Sequence, residues 1–442
     1  MPLPSLIRRV EWKLGWFIII GLAFIAVARW LTLQPLNARF ADTYSTFTSI
    51  GQLLGLIGLV FYACSFVLNA RIRFIENFFG GMNKTYIAHH IVGGAAFILI
   101  LLHPVALAVR YVSLSLHQAA LSLLPGSNWA INYGIFALWL TITLLVVTFF
   151  IRLPYQIWLF THKFLGLPFF LASLHVYFIS SDTSVDQVLR YYILGLATMG
   201  LTAYIYRSVL GKYLVRRYRY VVESIKMLNQ QVTEISLRPT KKAMKYDPGQ
   251  FVFVSFKDKV ISDEVHPFSI SSAPHEPLLR ITAKVLGDFT ASLPFLKPGD
   301  RVEIEGAFGK FSHHNFHNHS QIWIAGGIGI TPFLSMAKSL PAEPTNSAIV
   351  DLYYVVNTPD EFVDTNEIVQ VTKATTRLKL KPYVSQEHGL ITANYIARES
   401  DGLKGKEIFI CGPPPMMSSL RQQFNKLGVP NWRIHTEEFS IQ

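Results

Sequence analysis

Residues 88–104 read AHHIVGGAAFILILLHP, with twelve residues that are apolar or glycine between His90 and His103. No Asp, Glu, Lys or Arg occurs between Lys84 and Arg110. A membrane-crossing helix needs roughly 20 mostly apolar residues, so the stretch reads as a bilayer span. Ionisable groups at that depth are costly and mark functional sites.

Five further stretches pass the same test, giving spans near Leu14–Leu33, Ile50–Leu68, Ala88–Tyr111, Ile131–Ile151, Ile157–Ile179 and Val188–Val209. The first is too long for a removed signal peptide and lacks a small-residue cleavage site. The 442 residues are 51% hydrophobic and 15% charged, against about 25% charged in a soluble protein. The net charge of +12 gathers beside the spans, at Arg71, Arg73, Lys84 and Arg152 among others, so it needs no nucleic-acid partner. By the positive-inside rule the N-terminus and everything after Leu210 are cytosolic. The expected location is a membrane, with lipid as partner, and a bacterial cytoplasmic (inner) membrane in particular. With two cysteines, Cys64 and Cys411, and no Cys-x-x-Cys, the chain is a poor candidate for iron–sulfur clusters or structural zinc.

The third span carries His89, His90 and His103, and the fifth carries His162 and His175. Neutral imidazole is an axial ligand of haem iron, and two on facing helices suit electron transfer without substrate binding. Fourteen residues separate His89 from His103, about 21 Å of helical rise, and fourteen steps return to within about 40° of one face. Two irons, one toward each side of the bilayer, are therefore expected on His89, His103, His162 and His175. The thirteen residues from His162 to His175 leave about 140° of phase error. Pro168 lies between them and can tighten or bend the helix. His90 competes with His89 for the inner position; Gly93, four residues after His89, mirrors Gly166 after His162.

Beyond about Tyr218 charge returns, and the pattern shifts to short alternating runs with turns at Asp247-Pro-Gly249 and Lys297-Pro-Gly-Asp300, the signature of a small antiparallel barrel. It holds His266-Pro-Phe-Ser269 and Gly287-Asp-Phe-Thr290. Then come a buried strand, Gln321–Ala325, a turn Gly326-Gly-Ile-Gly-Ile-Thr-Pro332 and a helix. Further strands follow at Ile349–Val356 and Glu407–Ile410, the last running into Cys411-Gly-Pro-Pro-Pro-Met416. Glycines at a strand end let backbone amides approach a phosphate, and proline suits the first helical turn. The expected architecture is multidomain: a six-helix transmembrane bundle (1–212), an antiparallel β-barrel (213–315) and an α/β Rossmann-like nucleotide-binding domain (316–442).

These four motifs resemble the flavin and nicotinamide motifs of ferredoxin–NADP reductase-like proteins. Joined to six spans with spaced histidine pairs, nearly the whole chain resembles the NADPH-oxidase and ferric-reductase superfamily. The resemblance implies FAD, two b-type haems and NAD(P)H as electron donor. It implies that His266, Pro267, Phe268 and Ser269 line the flavin, with the Ser269 hydroxyl near its N5. Lys284, Gly287, Asp288, Phe289 and Thr290 would hold the flavin phosphates. Gly327, Gly329, Thr331 and Pro332 would hold the dinucleotide, with Cys411 and Gly412 beside the nicotinamide. Phe439 matches an aromatic that stacks on the flavin; a buried anchor is the other reading of that residue.

Two features depart from the pattern. Asn357 stands where NADPH users of this group often place Arg. The tract His313-His-Asn-Phe-His317-Asn-His319 resembles a metal-binding run and reads as a solvated connector. The function expected is a transmembrane oxidoreductase passing electrons from NAD(P)H to an acceptor on the far side: O2, a ferric chelate or an extracytoplasmic redox protein. A haem-free membrane-anchored flavin reductase, or a non-enzymatic haem carrier or transporter, is the alternative.

Overall fold

The computed structural model describes residues 3–257, 264–316, 320–343 and 349–437, and the chain divides into two units, Met1–Val215 and Arg216–Gln442. In the first unit six helices are long and apolar enough to cross a membrane: Lys13–Leu31, Thr43–Asn69, Met82–Val109, Trp129–Phe150, Gln156–Phe178 and Gln187–Val209. The second starts at Thr43, earlier than its apolar run, because Asp42 caps it by accepting a hydrogen bond from the Ser45 amide at 2.7 Å. Helix and apolar stretch need not begin together when a cap is available.

Large apolar side chains such as Phe17, Phe24, Phe149 and Phe150 point outward, as a lipid-facing surface requires. Small residues let the spans approach inside. A Cβ on Gly58 would sit 3.1 Å from Ile100, and one on Gly200 would sit 2.9 Å from the Ala63 backbone. The fifth span is two helices, Tyr155–Lys163 and Gly166–Phe178. At the break the amides of Phe164, Leu165 and Leu167 bond three residues back, to Thr161, His162 and Phe164. Pro168 has no amide hydrogen to continue the regular ladder. The Tyr62 hydroxyl donates to the Leu165 carbonyl at 2.7 Å, giving that carbonyl a partner in a medium without water.

In the second unit β1 (Tyr218–Met227), β2 (Val232–Pro239), β3 (Phe251–Lys257), β4 (His266–Ser269), β5 (Leu279–Lys284) and β6 (Arg301–Phe308) form a sheet of order β4-β3-β6-β1-β2-β5. All its pairings are antiparallel. An antiparallel bridge from Ile270, just past β4, to Ile281 of β5 closes the sheet. Closure removes the exposed edges and encloses a core of Val222, Ile235, Val254, Phe256, Ile281 and Ile304. Gly249 shows why its turn needs glycine: its φ is +91°, and a Cβ would lie 2.1 Å from the Phe311 carbonyl.

The remaining strands are parallel: β7 (Ser320–Gly326), β8 (Ile349–Val356), β9 (Leu378–Val384), β10 (Glu407–Cys411) and β11 (Ile434–Glu437), in the order β11-β10-β7-β8-β9. Chain order runs outward from β7 to β9, then returns to β10 on the other side of β7. That reversal makes the carboxyl ends of β7 and β10 the topological switch point, where open α/β sheets bind ligands. The barrel is tied to this sheet by Arg280 of β5, which lies 2.7 Å from Glu367, 2.6 Å from Glu276 and 3.2 Å from Glu234. Nearby, burial and then Glu234 push Asp364 up to about 6.

Candidate functional site

The membrane histidines meet in pairs. His89 faces His162 with ring centres 6.3 Å apart, and His103 faces His175 at 6.4 Å. Two imidazoles on opposite sides of one metal, with bonds of about 2.0 Å and about 1.1 Å from nitrogen to ring centre, stand roughly 6.2 Å apart. Both pairs fit a bis-imidazole iron, and His89, not His90, is the residue that faces His162.

Three of the four outer nitrogens are already engaged. Nδ1 of His103 donates to the Gly51 carbonyl at 2.6 Å, and Nδ1 of His175 to the Ala130 carbonyl at 2.7 Å. His89 Nδ1 lies 2.9 Å from both the carbonyl and the hydroxyl of Ser65. A carbonyl only accepts, so Nδ1 carries the proton and Nε2 keeps its lone pair for a metal. His162 differs: its Nδ1 is buried with no hydrogen-bond partner among the described residues, and its ring stacks on Trp158 at 5.2 Å. The break in the fifth span replaces the regular 100° step, which is how residues thirteen apart both come to face the third span.

Two glycines make room for the rings. A Cβ on Gly55 would lie 2.8 Å from His103 Nδ1, and one on Gly134 would lie 2.9 Å from His175 Nδ1. Gly134→Val is expected to displace the His175 ring and lower haem content toward one per chain. Haem-to-protein ratios of purified variant and wild type check this, and an unchanged ratio would refute it.

On the barrel, Ser269 ends β4 buried, and its hydroxyl has no hydrogen-bond partner among the described residues. An orphaned hydroxyl at that depth fits a ligand heteroatom. The His266 ring stacks on Phe289 at 3.8 Å, and its Nε2 bonds Glu264 at 2.7 Å. Pro267 and Phe268 pair with Phe253 and Val252, and Lys284 ends β5 opposite Val232. Asp288 opens a helix of only five residues, Asp288–Ser292. The Thr290 hydroxyl accepts from the Leu286 and Gly287 amides at 2.8 and 3.1 Å, so it shapes the turn from within.

The nucleotide motifs converge on the switch point. Gly327 has a φ of +53° and open space where a Cβ would be, whereas a Cβ on Gly329 would lie 2.2 Å from the Cys411 carbonyl. One on Gly412 would lie 2.9 Å from the Gly326 backbone. Thr331 and Pro332 open the following helix, Thr331–Ser339. Cys411 offers its backbone to this crevice; burial holds its thiol in the apolar core and pushes its pKa well up.

Comparison with known proteins matches this arrangement in order. Residues 54–174 match a family described as ferric reductase like transmembrane component. Residues 217–296 match an FAD-binding domain, and 323–422 an oxidoreductase NAD-binding domain. NADPH oxidase 1 of Mus musculus is 30% identical over 142 residues, 31% of this chain and 23% of that protein. The chain thus joins a ferric-reductase-like transmembrane component to an FAD-binding and an NAD-binding domain. It is an oxidoreductase with domains for FAD and NAD(P)H behind six helices long and apolar enough to cross a membrane. The reductase component of propane 2-monooxygenase from Mycolicibacterium smegmatis is 24% identical over 285 residues, 60% of this chain and 80% of that one. The flavohemoglobin of Malassezia yamatoensis aligns at a TM-score of 0.48 and 17% identity, covering 90% of this chain and 97% of that one. This chain thus spans most of one such relative and less than a quarter of another.

One expectation is corrected. His313 is no part of a solvated connector: it is 1% exposed, packed on Trp323 at 5.8 Å between ring centres. Burial comes from partners far along the chain, which a local polar run does not reveal. His317, His319 and Phe439 lie outside the described residues. Sequence reasoning missed the supporting shell of Gly51, Gly55, Ser65, Ala130 and Gly134; a small residue spaced along a span is the only trace such support leaves.

Proposed function

We propose that this chain is a member of the NADPH-oxidase and ferric-reductase superfamily and carries electrons from cytosolic NAD(P)H, by way of FAD and two b-type haems, to a small acceptor or redox protein across the membrane. The observation that carries the reading is the pair of imidazole pairs, each at the spacing one iron needs. Flavin, when bound, accepts a hydride and releases single electrons, which haem iron takes one at a time. His89 and His162 would hold the inner iron, and His103 and His175 the outer. The backbone carbonyls that take up Nδ1–H on three of the four rings fix their orientation without a charged group in the bilayer. Haems held by these four imidazoles would supply outer-sphere electron transfer to O2, a ferric chelate or a protein acceptor.

In this reading Ser269 meets the flavin, and Gly327, Gly329 and Thr331 meet the dinucleotide. The domain bounds are 1–212, 213–315 and 316–442, with the last two cytosolic in a bacterial inner membrane. Anaerobic addition of NADPH to purified protein should bring up sharp reduced b-type bands for two haems per chain. Flavin bleaching without those bands would instead mark a haem-free flavin reductase. Steady-state turnover with O2, ferric chelates and quinones then ranks acceptors.

Cofactor choice follows from Asn357, which succeeds β8 and whose carbonyl accepts from the Gln386 amide at 3.1 Å. A neutral carboxamide lacks the charged hydrogen bond to a 2′-phosphate, which is worth about 1.5–3 kcal/mol. Use of both NADPH and NADH is expected, with kcat/KM within about tenfold to a hundredfold of each other. A much stronger preference for NADPH would show that another basic residue reads the phosphate.

A further inference from the structure

His313 and His314 form a short turn between β6 and β7, and both reach the same carboxylate. His313 Nε2 lies 2.9 Å from one oxygen of Glu343, and His314 Nε2 lies 2.7 Å from the other. Glu343 follows the turn Leu340–Ala342 at the end of the helix after β7, so the three ligands come from two chain segments. Their donor atoms all lie within 4.8 Å of one another. Asp247, from the barrel, stands 3.7 Å from His314 Nδ1. We propose that His313, His314 and Glu343 form a binding site for one zinc ion, which clamps the connector between the barrel and the nucleotide sheet.

Two histidines and a glutamate are a known zinc donor set, with a fourth position left for water or another ligand. Metal–ligand bonds of about 2.0–2.1 Å at tetrahedral angles put neighbouring donors roughly 3.3 Å apart, so each histidine must open from its Glu343 oxygen by about half an ångström to admit the ion. His313 is fixed by burial, while the side chain of His314 is 37% exposed and leaves a way in. The absence of Cys-x-x-Cys spoke against structural zinc; the donors here are imidazole and carboxylate instead. A second gathering of acids, Glu234, Asp364 and Glu367, is different in kind. Arg280 and Lys338 already sit against it, each within 3.2 Å of one of its carboxylates, and supply its cations.

The test uses tag-free, full-length protein with its flavin and haem, treated with EDTA and then dialysed against buffered micromolar Zn2+. Elemental analysis is expected to give one zinc per chain in the wild type and less than a tenth of that in His314→Gln and Glu343→Gln. Added Zn2+ should raise the Tm of the wild type by several degrees and leave Glu343→Gln unmoved. FAD content in each variant confirms that it is folded, and Glu343→Gln stands alone if His314→Gln is not. Wild type that retains no zinc, or folded variants that retain as much as wild type, would overturn the proposal.

Discussion

His103→Ala or His175→Ala is expected to take the haem content from two per chain to one and to stop transfer to any acceptor across the membrane. Each removes one of two imidazoles from a pair whose ring centres stand 6.4 Å apart, and no third imidazole faces that pair among the described residues. FAD reduction by NADPH, which depends on the other unit, should persist, so rapid-mixing absorbance at the flavin band separates this loss from misfolding. His90→Ala is the control: its neighbour His89 is the one paired with His162, and both haems should remain. A His103 or His175 variant that keeps two haems with an unchanged spectrum would sink the ligand assignment.

The second large effect is expected from Gly329→Ala. The added methyl would lie 2.2 Å from the Cys411 carbonyl oxygen and 2.6 Å from its carbon. Both are backbone atoms at the end of a central strand, so neither can swing away. The turn must move as a whole, and displacements of about 1 Å at a reacting pair cost about a hundredfold in rate. A fall of a hundredfold or more in kcat/KM for NADPH and NADH is expected, with haem content intact and dithionite still reducing the haems. Gly327→Ala tests the same turn differently. Its Cβ meets nothing, but its φ of +53° is strained for alanine, by about 1–2 kcal/mol. A raised KM there, larger than that strain explains, would mark contact with the nucleotide. If Gly329→Ala keeps wild-type kcat/KM, the crevice at β7 and β10 is not the nucleotide site.

Long-period features were legible in the sequence. Apolar length fixed the number of spans, because a bilayer imposes its thickness on every crossing helix. Alternation and turn residues marked the barrel, and strand, glycine turn and helix marked the nucleotide sheet. Contacts between segments were not legible. Nothing in Gly51 or Ala130 announces that its carbonyl will orient an imidazole, because every residue has one. The common facing of His162 and His175 came from the break in the fifth span, which helical arithmetic on an unbroken helix gets wrong. Burial of His313 came from Trp323 and Glu343, and the inward turn of the Thr290 hydroxyl from the amides beside it.

The break in the fifth span also bears on how such a chain tolerates errors of length. His89 and His103 share one continuous rod, so a residue inserted between them rotates one by about 100° against the other and spoils a pair. His162 and His175 sit on separate short rods joined at Phe164 and Leu165. Slack at that joint can absorb a changed residue count while each ring keeps its place. The spacing on the third span is therefore the rigid ruler of the molecule, and that on the fifth is the one a changed residue count would disturb least.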